Sequence, residues 1–329
     1  MTQTFTLPAT ATRPALFVRR RRPRHPDTDA PPVLYVHGAT FPSALSVAFR
    51  LDGRSWMDQL AAAGFDAWAL DFAGFGRSGR YPAMDAAPAT APPLGRLPAA
   101  LEQLRTVVDL VLARTGRPRL SLIAHSWGTL VAARLAAEHP ELVSALVLFG
   151  PIAPRPGSPL PSSLPGPDAL GAWYPLSVDA QHRRFTEEVP ASEPPVLLDS
   201  HFAAWAAAWL ATDPPHRRRT PPSVRVPGGP LVDIVATRAA DLPYRPAEIT
   251  APVLVVRGAW DRFCSAADVA WLMAALSRSP GRARVTVPKG THLLHLESSR
   301  HALHRAAALF LAGAVAPVGT GHEGPPCSS

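Results

Sequence analysis

A chain of 329 residues with 47% apolar content is long enough to bury one large core and carry an insertion, or to form two domains. Its net charge of +8 would suit an anionic partner, yet Lys289 is the only lysine, and arginine among abundant Ala and Pro is the usage that a GC-rich coding sequence tends to produce. The longest apolar runs fall far short of the ~20 residues of a membrane span, the start MTQTFTLPATATRP lacks a signal pattern, and Cys264 and Cys327 make no disulfide framework.

In chain order, the arginine run at residues 19–22, with Arg24, sits among prolines and reads as a solvated loop. The run at residues 216–219 reads the same way, so neither a nucleic acid nor a membrane is expected as partner. Residues 33–36, VLYV, read as a strand. Ser55 with Asp58 three residues on is a capping pair, which opens a helix ending near Gly64. Residues 66–71 form the next strand. Leu97, Leu101, Leu104, Val108 and Val111 then recur at helical spacing until Gly116 stops the helix. A strand at 120–125, a helix at 127–139 closed by Pro140, and a strand at 143–149 follow. Such alternation predicts an α/β fold with a mostly parallel sheet covered by helices.

From Pro151 to about Pro246 the alternation breaks into proline-rich chain with one helical candidate at 198–212. It resumes with a strand at 252–257, a helix opened by Ser265 and Asp268, a strand at 284–287 and a helix at 298–311. Those strands are too few for a second sheet. The expectation is therefore one core, residues 12–151 and 249–313, with an insertion at 152–248 and a disordered tail at 314–329.

The chemistry gathers at the ends of strands. In LIAHSWGTL, residues 122–130, a strand runs straight into a helix with Ser126 at the corner and small residues, Ala124 and Gly128, two positions to either side. That corner lifts the hydroxyl to a helix amino terminus, where backbone N–H groups favour developing negative charge. The stretch resembles the nucleophile elbow G-x-S-x-G of the α/β-hydrolase superfamily, with Ala124 in place of the first glycine. Two further segments resemble that family's motifs in the order it requires. GAWDRF puts Asp261 where the family carries its acid, and KGTHLLHLE puts His292 where it carries its histidine. The resemblance implies an α/β-hydrolase fold whose insertion is a mostly helical cap, and a triad in which His292 takes the proton of Ser126 and Asp261 holds the imidazole.

Other roles follow from the same resemblance. VLYVHGATF resembles the strand-HG-x turn and implies an oxyanion hole from the backbone N–H groups of Ala39 and Trp127, with Thr40 adding a side chain. Asp71 in DFAGFGRSG is expected to hold its loop. His295 and Glu297 are assigned to loop structure, and His125 to packing. Ser-Trp-Gly differs by one residue from the Asp-Trp-Gly elbow of epoxide hydrolases and dehalogenases, and a serine attacks carbonyls where an aspartate attacks carbon.

The expected reaction is hydrolysis of a carboxylic ester, thioester or lactone through an acyl-enzyme on Ser126. A cyclase, acyltransferase, carbon–carbon hydrolase or cofactor-free peroxidase-like enzyme on the same triad, or a ligand receptor, are the alternatives. In the cap, Phe202, Trp205 and Trp209 stand at helical spacing, with Trp173 and Tyr174 in another segment. These aromatics are expected to pack cap on core and also to meet an apolar portion of a small-molecule substrate. A carboxylate cluster suited to a free amino terminus is not evident in the cap, which weakens a proline-iminopeptidase-like reading. This chemistry needs neither metal nor organic cofactor, and the chain is expected to be cytoplasmic; its oligomeric state stays open.

Overall fold

A computed structural model describes residues 2–25, 30–157, 164, 166 and 170–313. The tail expected at 314–329, with Cys327, lies outside the described residues. In chain order the elements are β1 (Thr2–Leu7), β2 (Leu16–Arg21), β3 (Val33–Val36), α1 (Trp56–Ala62), β4 (Ala67–Asp71), α2 (Leu97–Thr115), β5 (Leu120–His125), α3 (Trp127–Glu138) and β6 (Val143–Phe149). They continue as β7 (Trp173–Ser177), α4 (Val178–Thr186), α5 (Asp199–Leu210), β8 (Ser223–Pro227), α6 (Gly229–Arg238), β9 (Val253–Gly258), α7 (Ala266–Ala275), β10 (Arg282–Val287) and α8 (Arg300–Gly313).

Eight strands form one sheet in the order β1-β2-β4-β3-β5-β6-β9-β10. The pairs β1–β2 and β2–β4 are antiparallel, and every later neighbour is parallel. Parallel strands need crossovers, and the helices that supply them cover both faces of the sheet, so the central strands are apolar throughout. All six residues of β5 are buried. On one face Leu34, Val36, Leu122, Leu148 and Val255 pack against α2 and α3; on the other, Val33, Tyr35, Ile123, Val147 and Val256 meet Trp56 and Leu60 of α1 and Leu303 and Leu311 of α8.

Local chemistry sets the ends of these helices. Ser55 and Asp58 make a reciprocal capping box at α1, as Ser265 and Asp268 do at α7. Gly116 closes α2 at φ +68°, a left-handed conformation that a side chain would strain.

Between β6 and β9 lies the insertion, built of α4, α5 and α6 with a two-stranded antiparallel sheet of β7 and β8. Three features depart from expectation. The sheet begins at Thr2, ahead of residue 12, because β1 adds an antiparallel edge to β2. The arginine run is not a loop: Arg19, Arg20 and Arg21 lie on β2, and only Arg22 and Arg24 of that cluster are exposed. Arg20 is buried because its guanidinium forks onto Asp66 at 2.6–3.1 Å and lies over the Trp68 ring. In the second run, Arg217 and Arg218 are exposed while Arg219 pairs with the buried Asp213 at 2.6 Å.

Candidate active site

The chain turns sharply at Ser126, whose φ of +54° is rare for any residue but glycine, and strain of this kind costs about 1–3 kcal/mol. Two close approaches fix the turn. A Cβ on Gly128 would stand 2.4 Å from the carbonyl oxygen of His37, so α3 can meet the end of β3 only through a glycine. Gly258 has the same constraint against Gly290, where a Cβ would come within 2.1 Å of the carbonyl oxygen; this draws together the loops after β9 and β10.

Those loops bring the three expected residues into contact. The Ser126 hydroxyl donates to His292 Nε2 at 2.8 Å, and His292 Nδ1–H donates to Asp261 Oδ2 at 3.0 Å. The other oxygen of Asp261 accepts the backbone N–H of Cys264 at 2.7 Å, which locks the carboxylate in place. All three side chains are buried, and Ser126 and His292 open on one cavity. Ala39 and Thr40 line it too. As the first residue of α3, Trp127 has a backbone N–H with no partner inside its helix, while its indole N–H donates to Asp233 at 3.1 Å.

The neighbouring residues hold this arrangement. Asp71 accepts the backbone N–H groups of Ser43 at 2.9 Å and Arg77 at 3.1 Å, tying the loop after β3 to the one after β4. His125 is buried behind His292, donating from Nε2 to the His292 carbonyl at 3.0 Å with its ring stacked on Phe149. Burial, reinforced by His295 and His292, holds its basicity well below the usual range. His295, 4.6 Å from the His125 ring and stacked on Phe41, is lowered by burial to about 3. It is a neutral packing residue at neutral pH. Glu297 accepts the backbone N–H of Thr291 at 3.0 Å and the Thr291 hydroxyl, and burial raises its pKa to about 7.

The aromatic positions divide. Tyr174 lines the cavity beside Ser126. Trp205 and Trp209 do not face it as expected but stack on each other, and the Trp205 indole donates to the Leu45 carbonyl at 2.8 Å while its ring meets Phe41 edge-on. Phe202 lies on a separate cavity with Phe185, and the Trp173 indole donates to the Ala86 carbonyl. Backbone carbonyls outside the insertion accept the indole N–H groups of Trp173 and Trp205, whereas that of Trp209 is buried with no partner among the described residues, so the stripe packs the insertion on the core chiefly through its rings.

Three residues of the insertion that the sequence motifs do not single out also stand here. Arg184 and Glu188 line the cavity, as does Glu187, so carboxylates of the insertion do stand near Ser126. Glu188, just beyond α4, accepts the backbone N–H groups of His292 at 2.7 Å, Arg262 at 2.9 Å and Phe263 at 3.3 Å. Burial first and Asp261 second push its pKa up. The signal was available in spacing: Gln181, Arg184, Phe185 and Glu188 recur at helical intervals, which puts three polar residues on the face that buries Phe185. Among the described residues, no three His, Cys, Asp or Glu side chains converge as a metal site, and no helix is long and apolar enough to cross a membrane.

A sheet of this order, with serine, acid and histidine in sequence at the ends of β5, β9 and β10, defines the α/β-hydrolase class. A family model of the alpha/beta hydrolase fold matches residues 31–299, and the chain belongs to that family. No curated protein matches the sequence. Among solved structures, a serine hydrolase from the polyaromatic hydrocarbon-degrading bacterium Cycloclasticus zankles is 18% identical, with a TM-score of 0.65 over 95% of this chain and 99% of that one. One of the carboxylesterases of the thaumarchaeon Nitrososphaera gargenis is 14% identical, with a TM-score of 0.61 over 94% and 98%. The 2-hydroxy-6-oxo-6-phenylhexa-2,4-dienoate hydrolase of Rhodococcus sp. strain RHA1 is 19% identical, with a TM-score of 0.63 over 95% and 100%. At these identities the likeness is one of fold, and one fold carries several reactions.

Proposed function

We propose that the chain is a serine hydrolase that cleaves a carboxylic ester, thioester or lactone with an apolar portion, through an acyl-enzyme on Ser126. The observation that carries this reading is the chain of hydrogen bonds from Ser126 through His292 to Asp261, opening on a cavity walled by Leu231, Ile234, Phe263 and Leu293. His292 accepts the serine proton as Oγ attacks the carbonyl carbon, and Asp261 stabilises the imidazolium. The backbone N–H groups of Ala39 and Trp127 receive the oxyanion. His292 then protonates the leaving alcohol or thiol, and a water activated by the same imidazole releases the acid. In this reading residues 152–248 form a cap that shapes the cavity.

A burst experiment tests it, with para-nitrophenyl esters of increasing acyl length, wild type against Ser126→Ala, and intact-protein mass. Acylation of the wild type alone, mapped to Ser126, supports the reading, with turnover of the variant down by about 10⁴-fold or more. Equal turnover by Ser126→Ala refutes it.

A further inference from the structure

The cavity beside Ser126 joins an apolar wall of Leu231, Ile234, Phe263 and Leu293 to a polar one that carries Arg184 and Tyr174 as well as Glu187 and Glu188. Arg184 reaches it from α4, and its Nη1 donates to the hydroxyl of Thr40 and to Gln181 Oε1 at 3.0 Å. Among the described residues, its Nε and Nη2 groups have no hydrogen-bond partner and no ion pair engages it; Glu187 and Glu188 act on its charge only through space. A guanidinium offers five N–H donors in a planar fork, and the edge left over suits a carboxylate. The second element of the corner is Tyr174. The residue lines the same cavity, and its hydroxyl is buried with no hydrogen-bond partner among the described residues, within electrostatic range of Arg184. Leaving a buried hydroxyl unpartnered is costly, so such a donor beside a guanidinium edge that is also unpaired among the described residues is matched to something that accepts.

We infer that Arg184 and Tyr174 form a carboxylate-binding corner, and that the substrate is an ester or thioester whose acyl chain carries a carboxylate a few bonds from the scissile carbonyl. This rests on the acyl-enzyme reading above. Placement on the acyl side follows from the triad: His292 protonates the leaving group, which must lie toward that ring, whereas Arg184 is anchored to Thr40, next to the Ala39 N–H. An ammonium substrate is the opposite case. Glu188 has both carboxylate oxygens occupied by backbone N–H groups, and Arg184 repels a cation from the same cavity.

The test compares monoethyl succinate, glutarate and adipate with ethyl butanoate, pentanoate and hexanoate, and with ethyl 6-aminohexanoate, following proton release. At least one acid ester should exceed its neutral counterpart in kcat/KM by about 10–100-fold, the yield of a charge-assisted pair in a shielded site. Arg184→Met should abolish that ratio, and Tyr174→Phe should reduce it several-fold with no loss of thermal stability. Calorimetric binding of the same esters to Ser126→Ala separates the two readings. Arg184-dependent binding of an acid ester with no hydrolysis by wild type keeps the corner and removes the hydrolase. Equal or better handling of neutral or cationic esters, a ratio that survives Arg184→Met, or no preferential binding to Ser126→Ala overturns the corner.

Discussion

Glu297→Gln should stabilise the protein above neutral pH and leave it unchanged in mild acid. Glu297 is fully buried, and among the described residues its carboxyl group bonds to the N–H and hydroxyl of Thr291 alone. Burial raises its pKa from 4.5 to about 7. Between those values the native state holds a proton that the unfolded chain has released, so stability is complete below 4.5 and declines as pH rises to about 7. At 1.36 kcal/mol per pKa unit, the full loss is about 3 kcal/mol. A glutamine reproduces the neutral acid, since its carbonyl accepts the Thr291 N–H and its amide donates to the Thr291 hydroxyl. Urea unfolding of both proteins from pH 4.5 to 9 measures the difference. The variant's advantage should be near zero at the acid end, grow toward pH 7 and level off at about 3 kcal/mol. The charge of Glu188 adds to the rise at Glu297, so the same comparison in a Glu188→Gln background should show a smaller advantage of the same sign. An advantage independent of pH, or one that shrinks as pH rises, refutes the buried-acid account.

Two further outcomes rest on packing around the triad. Glu188→Gln keeps one acceptor but turns an amide against an N–H now satisfied by carboxylate; kcat should fall by about tenfold or more with KM changed much less, and urea stability by about 1–3 kcal/mol, with Glu188→Asp failing to restore kcat for want of reach. Gly128→Ala puts a Cβ 2.4 Å from a backbone carbonyl, so soluble folded yield should collapse, read by gel filtration and circular dichroism.

Much of this was legible because the motifs depend on local geometry. A serine flanked by Ala124 and Gly128, or Asp58 three residues after Ser55, announces its backbone from a few neighbours. The strand β2 is hidden because three consecutive arginines carry no alternating apolar pattern; Arg20 is buried by pairing with Asp66, 46 residues away, and by lying over the Trp68 ring. Arg184 and Glu188 were missed for a related reason. Their spacing from Phe185 was visible, but their partners are Thr40, 144 residues away, and the His292 backbone, 104 residues away. For Trp205 and Trp209 the sequence suggests partial contact with substrate, because an aromatic stripe has the same spacing whether it meets a ligand or the Leu45 carbonyl.

The grip of Glu188 on the loops of Asp261 and His292 also ties two parts of the molecule together. One carboxylate, carried just past α4, holds three backbone N–H groups, and those N–H groups belong to the segments that carry Asp261 and His292. Cavity wall and serine-histidine-aspartate chain therefore share a joint, and a change made in α4 is felt at the far side of the cavity.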